Sequence, residues 1–142
     1  MLAPFYRHGE AGILYLGEMA VRVLIVDDQA PFRSAARAVV EATDGFDVVG
    51  EAESGEASVE AAQKLHPDLV LMDVNLPGIN GLEATRQILK ASNGTVVVLL
   101  LSTYEEADYA QRAIESGAST YISKSKFEPD RLLAAWEAAK TN

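Results

Sequence analysis

The chain has 142 residues, 49% of them apolar and 23% charged, with no cysteine; 12 basic against 21 acidic side chains leave a formal net charge of −9. That is one domain's worth of chain with one core, too apolar for disorder and without the thiols for a disulfide framework or a thiolate metal site. Scattered lysines and arginines argue against direct nucleic-acid binding, the longest apolar run, 96–101, is far short of the roughly 20 residues of a membrane helix, and a cytoplasmic setting is expected.

Residues 1–20 carry Gly9, Gly12, Gly17 and the patch Ile13-Leu14-Tyr15-Leu16 between Glu10 and Glu18. They are expected to form a loosely attached extension ahead of a single domain at 21–142, with Met19 as an alternative start. The patch is too short, and its flanks too acidic, for a secretory signal.

From Val21 onward short continuous apolar runs alternate with stretches of helical period, as in a parallel sheet with crossover helices. Strands are expected at 21–26, 47–52, 69–72, 96–101 and 120–123. The helical stripes between them are Phe32, Ala35, Ala36, Val39 and Val40; Ala57, Ala61 and Leu65; Leu82, Thr85 and Leu89; Ala107, Ala110 and Ile114; then Leu132, Leu133, Trp136 and Ala139. Punctuation agrees: Pro31 and Pro129 fall in first turns, Asn80 stands three residues before Glu83 as a cap, and Gly117 follows the fourth stripe. Five βα units with right-handed crossovers fit an α/β, flavodoxin-like, doubly wound parallel sheet of order 2-1-3-4-5.

In such a sheet ligands bind beyond the carboxyl ends of the strands, so the residues leaving each strand are read together. Strand one exits into Asp27 and Asp28, strand three into Asp73, strand four into Ser102 and strand five into Lys124, while strand two exits into Glu53 and Ser54. With strands about 4.8 Å apart, the short hydroxyl sits one strand from Asp73 and the long ammonium two. Three carboxylates within about 5 Å would repel by about 3 kcal/mol per pair at an effective dielectric of 20, so the cluster calls for a cation. An oxygen-only set suits a hard ion, Mg²⁺ or Mn²⁺. His8 and His66 read as solvated loop residues. Taken singly, Asp28 reads equally well as a helix N-cap, Asp73 as an Asx-turn residue and Lys124 as a surface lysine; the joint arrangement carries the inference.

The segments Val23-Leu24-Ile25-Val26-Asp27-Asp28, Asp73-Val74-Asn75-Leu76-Pro77-Gly78-Ile79-Asn80-Gly81-Leu82, Leu101-Ser102-Thr103 and Gly117-Ala118-Ser119-Thr120-Tyr121-Ile122-Ser123-Lys124 resemble the receiver domain of two-component response regulators. The resemblance runs over residues 21–140. Asp28-Gln29, the Gly-Leu-Glu-Ala at 81–84 and a lysine without a following proline are closest to the NarL/LuxR type, whose receivers usually precede a DNA-binding effector domain. The resemblance implies that Asp73 accepts a phosphoryl group from a histidine kinase or phosphotransfer protein. It further implies Mg²⁺ ligation by Asp28 and Asp73, by Asp27 through water and by the Asn75 carbonyl, with Lys124 and the Ser102 hydroxyl on phosphoryl oxygens.

Output is expected from Ser102 moving toward the phosphoryl group and Tyr121 turning inward, biasing the face of the fourth helix, fifth strand and fifth helix, which the resemblance implies is the docking or homodimer surface. Tyr121 is equally a half-exposed strand aromatic. Two positions depart from the family: Ser125 stands where many receivers have proline, and Thr103 followed by Tyr104 stands where small residues are common. The latter pair is expected to narrow access to Asp73 and slow both phosphoryl uptake and loss. Such a protein is a phosphoacceptor switch and not an enzyme.

Among rivals, a haloacid-dehalogenase-type phosphatase would need an Asp-x-Asp pair on the first strand. A flavin carrier would need a phosphate loop where Asp27 and Asp28 stand. The remaining alternative is a non-phosphorylated pseudo-receiver acting as an interaction module. The chain ends soon after the fifth helix, so it is either a stand-alone receiver or one whose effector domain lies beyond it.

Overall fold

The apolar runs become five parallel strands, β1 (Val21–Val26), β2 (Phe46–Ala52), β3 (Leu69–Asp73), β4 (Val97–Ser102) and β5 (Thr120–Ser123), in the order β2-β1-β3-β4-β5. The helices are α1 (Ala30–Glu41), α2 (Gly55–Leu65), α3 (Gly81–Ser92), α4 (Ala107–Ser116) and α5 (Pro129–Thr141), with a 3₁₀ turn at Lys124–Lys126. The computed structural model describes residues 20–103 and 107–141; the extension, His8 and Tyr104 lie outside that set. The expected sheet and its order are those observed. Boundaries differ by one residue: Asp73 and Ser102 close their strands and do not follow them.

The central strands are apolar on both faces because each face is covered by helices. Leu24, Val26, Val70, Met72, Val98 and Leu100 belong to one buried cluster, which also takes in Leu82, Ala84 and Ile88 of α3 and Ala113 of α4. The alternate residues, Val23, Ile25, Leu69, Leu71, Leu99 and Leu101, pack with Ala36 and Val40 of α1 and Leu132 of α5. Each fully buried leucine, isoleucine or valine contributes about 1.5–3 kcal/mol relative to an exposed one. Three expected stripe positions fall elsewhere, among them Leu133 of α5, which is 39% exposed. Ala35 is exposed, and Ile114 is 64% exposed while Ala113 beside it is fully buried. The 100° advance per residue rotates α4 so that Ala113, not Ile114, faces the sheet.

Local signals set the helix ends. Asn80 accepts a hydrogen bond from the Glu83 N–H at 3.0 Å and caps α3, and Ser54 does the same for α2 with the Ala57 N–H at 3.1 Å. The expected role of Gly117 fits its φ of +99°, and exposed His66 ends α2 in the left-handed region at φ +50°. The last carbonyls of α2, at Leu65 and His66, accept hydrogen bonds from the Arg22 guanidinium at the start of β1. Among the described residues no helix is long and apolar enough to cross a membrane.

Candidate functional site

Asp27 follows β1 directly and is completely buried. Its N–H donates to the Ala52 carbonyl at 3.1 Å, and its Oδ1 accepts from the Gln29 N–H at 2.8 Å, which fixes the turn into α1. Gln29 is therefore the N-cap residue of α1. Asp28 does not take that place and stands exposed at the rim. Asp73, at the end of β3, is 5% exposed, and its Oδ1 accepts from the Asn75 N–H at 3.3 Å. The Asx-turn reading thus holds locally without removing Asp73 from the cluster. One carboxylate oxygen from each of Asp27, Asp28 and Asp73 lies within 4.8 Å of the others.

Lys124 follows β5 and reaches this cluster. Its Nζ is 2.6 Å from Asp27 Oδ2, 3.6 Å from Asp73 Oδ1 and 4.4 Å from the centre of the Phe32 ring. The sequence spacing relates the lysine to Asp73, yet the shorter contact is to Asp27. A carboxylate with no exposed surface gains most from a counter-charge, because unpaired it forfeits its full hydration. One ammonium against three carboxylates leaves the site net negative. The Asp73 carboxyl responds by rising from its ordinary value to about 6, pushed up first by burial and next by the charge of Asp27, and to a smaller extent by that of Asp28; Lys124 and the Asn75 N–H pull it the other way.

A donor set made only of carboxylate oxygens, with carbonyls nearby and no sulfur or imidazole, matches what Mg²⁺ and Mn²⁺ take. The residues present therefore fit the divalent ion that the receiver resemblance implies. Asp28, Phe32, Asp73, Asn75, Thr103 and Lys124 line one open cleft at these strand ends.

Ser102 is fully buried at the end of β4, one position beyond Leu101, the register partner of Asp73. By strand alternation it falls on the face of Val98 and Leu100, the cluster against which Tyr121 of β5 packs half-buried. Thr103 is exposed. The expectation for Tyr104 concerns a residue outside the described set. After Lys124 the loop tightens into its 3₁₀ turn, with Ser123 Oγ and Ser125 Oγ 2.9 Å apart.

Several supporting residues were not singled out by the sequence reading. Arg33 of α1 donates from Nη1 to the Asp27 carbonyl at 2.8 Å and from Nε to Glu51 Oε1 at 2.9 Å. Arg37 holds the other oxygen of Glu51, and these hydrogen bonds, that of Arg37 foremost, keep the Glu51 carboxyl below its ordinary range. The pair i and i+4 on one helix face, opposite a carboxylate on an edge strand, was the available signal. Gly81 packs so closely on the end of β3 that a Cβ there would lie 2.1 Å from the Asp73 carbonyl oxygen.

Comparison with known proteins agrees with this geometry. The response regulator receiver domain family matches residues 23–137. The response regulator GacA of Pseudomonas viridiflava is 43% identical over 104 residues, covering 73% of this chain and 48% of that protein. The nitrate/nitrite response regulator NarL of Escherichia coli is 37% identical over 118 residues, covering 82% of this chain and 53% of that protein. The chain thus spans about half the length of the curated relatives it matches. Among solved structures, a LuxR-family two-component response regulator from an Aurantimonas species superposes with a TM-score of 0.76 at 34% identity, covering 84% of each chain. The receiver domain of a NarL protein from Mycobacterium tuberculosis gives a TM-score of 0.78 at 28% identity, covering 87% of this chain and 98% of that one. A shared sheet order and a family match that runs from β1 into α5 lead to one conclusion: this chain belongs to the receiver domain family of two-component response regulators, in its NarL/LuxR-type branch.

Proposed function

We propose that Asp73 is the phosphoacceptor of this receiver and that Asp27, Asp28, Lys124 and Ser102 complete its site. The observation that carries the reading is the convergence of three carboxylates within 4.8 Å, with the Lys124 ammonium 3.6 Å from Asp73. An ionised Asp73 oxygen attacks the phosphorus of a phosphohistidine; the new O–P bond forms as the P–N bond breaks, and the freed imidazole takes its proton from solvent. Asp28 and Asp73, with the Asn75 carbonyl and Asp27 through water, would hold Mg²⁺. When bound, the ion neutralises charge on the transferring oxygens.

Lys124 supplies a fixed positive charge for one phosphoryl oxygen and the Ser102 hydroxyl a donor for another. Ser102 and Tyr121 share a face of the sheet, so movement of the serine toward the phosphoryl group opens room for the tyrosine ring and shifts the α4–β5–α5 surface. Thr103, on the lining of the cleft, restricts entry to it. Water then hydrolyses the acyl phosphate and resets the switch.

The donor is a histidine kinase or phosphotransfer protein in the cytoplasm. The output is transcription, through an effector domain of the kind that the relatives' names and greater length suggest, with homodimerisation through the switched surface. The chain acts as a switch and not as an enzyme on an external substrate. A pseudo-receiver is disfavoured by the complete acid and lysine set.

Incubation with phosphoramidate and Mg²⁺ should add one phosphoryl group by mass, and neither EDTA-treated protein nor Asp73→Asn should gain it. Labelling that survives Asp73→Asn would overturn the assignment. Beryllofluoride with Mg²⁺ should change the NMR environment of the Tyr121 ring, and an unmoved ring would refute the switch.

A further inference from the structure

The loop from Val74 to Asn80 carries the Asn75 carbonyl, and its two ends are pinned. Val74 donates to the Leu101 carbonyl at 3.1 Å and accepts from the Gly81 N–H at 2.9 Å, while Asn80 caps α3. Its middle is different. Among the described residues, the one hydrogen bond from residues 76–79 to another element runs from the Ile79 N–H to Glu56 Oε2, at 3.1 Å. Glu56 lies in the first turn of α2, where the helix dipole favours a carboxylate.

Two glycines bring α2 and the loop together. Gly78 adopts φ +76°, and a Cβ on it would lie 2.3 Å from Glu56 Oε1. A Cβ on Gly55 would lie 2.3 Å from the Ile79 carbonyl oxygen. The Glu56 carboxylate therefore rests directly on the Gly78 backbone while it accepts from Ile79, and only side-chain-free positions allow that approach. Glu56 is exposed, yet the contact it makes is specific in length and direction.

We infer that Glu56 is a positioning residue for the metal site: its hydrogen bond to Ile79 N–H latches the loop so that the Asn75 carbonyl is presented beside Asp73. Glu56 touches neither ion nor phosphoryl group. It acts through three residues of backbone, as an outer support does for a metal ligand. This rests on the reading of Asp28, Asp73 and Asn75 as the Mg²⁺ ligands.

The test separates hydrogen bonding from charge by titrating Mg²⁺ calorimetrically into wild type and three variants of the full chain. Glu56→Gln keeps an acceptor of the right length and loses the charge. Glu56→Asp keeps the charge and loses the reach, and Glu56→Ala loses both. Asp and Ala should bind Mg²⁺ roughly three- to ten-fold more weakly, the factor that goes with the net worth of one hydrogen bond, and Gln should stay within about two-fold of wild type. The Ile79 amide should exchange faster in Asp and Ala and stay protected in Gln, with midpoints of urea unfolding lowered in Asp and Ala by no more than one hydrogen bond accounts for and nearly unchanged in Gln.

Equal Mg²⁺ affinity in all four proteins would overturn the inference, as would a Gln variant as weak as Ala, since charge alone would then explain the loss. A wild-type chain that binds no Mg²⁺ would overturn the proposed function and this inference with it, an outcome distinguishable because it appears before any variant is made.

Discussion

Replacing Asp73 by asparagine should stabilise the metal-free protein at neutral pH, by an amount that depends on pH in a defined direction. The carboxyl sits 5% exposed beside buried Asp27, and folding moves it from 3.8 to about 6. At about 1.4 kcal/mol per pH unit that gap is worth about 3 kcal/mol. A raised acid binds more protons folded than unfolded, so its contribution is fully present below about pH 3.8 and is lost as pH rises through about 6. Wild type should therefore fall below Asp73→Asn by about 3 kcal/mol at pH 7.5, and the two should converge toward pH 4. Urea unfolding of both proteins in EDTA, at half-unit steps from pH 4 to pH 8, measures the difference while other titrating groups cancel. Adding Mg²⁺ at a hundred times its dissociation constant should return about 2.7 kcal/mol to wild type and much less to the variant. A difference that stays flat between pH 4.5 and 7.5, or an asparagine variant less stable at pH 7.5, would refute the electrostatic reasoning.

Other changes probe the parts around Asp73. Lys124→Met removes the partner of a fully buried carboxylate and should cost about 3 kcal/mol in EDTA, with Mg²⁺ recovering more of it than it adds to wild type; an unchanged melting temperature in EDTA would count against the ion pair. Gly81→Ala drives a Cβ to 2.1 Å from the Asp73 carbonyl oxygen and 2.9 Å from Val74 Cα, both backbone atoms, and should destabilise by about 3 kcal/mol or more in urea unfolding. Thr103→Ala widens the cleft and should speed labelling by acetyl phosphate roughly threefold, about 0.7 kcal/mol in the barrier, with Mg²⁺ affinity unchanged; an equal rate would remove Thr103 from any control of access.

Much of this molecule was legible in one dimension. Continuous apolar runs such as Leu69 to Met72, alternating with stretches of helical period, read as strands covered on both faces, and the turn and cap residues Asn80, Pro31 and Gly117 act within a few positions of themselves. The sheet order followed from four right-handed crossovers, and with it the gathering of Asp27, Asp28, Asp73 and Lys124 at one rim. These are periodic or local properties, so chain order suffices to read them.

What remained for the tertiary structure was pairing and rotation. Lys124 lies 97 residues from Asp27, and only the folded rim decides that its ammonium rests 2.6 Å from that buried carboxylate and 3.6 Å from Asp73. On α4, stripe spacing admits either Ala113 or Ile114 to the core; the helix's seat on β5 and α3 chooses the alanine and turns the isoleucine outward. Arg33 and Glu56 read as ordinary surface charges until α1 and α2 bring them against the Asp27 carbonyl and the Ile79 N–H. The physical reason is the same for the packed face of α4 as for the polar contacts, since both depend on where whole elements are seated. A hydrogen bond or ion pair is set by a few ångströms of side-chain reach, and that distance exists only once the strands and helices have been placed.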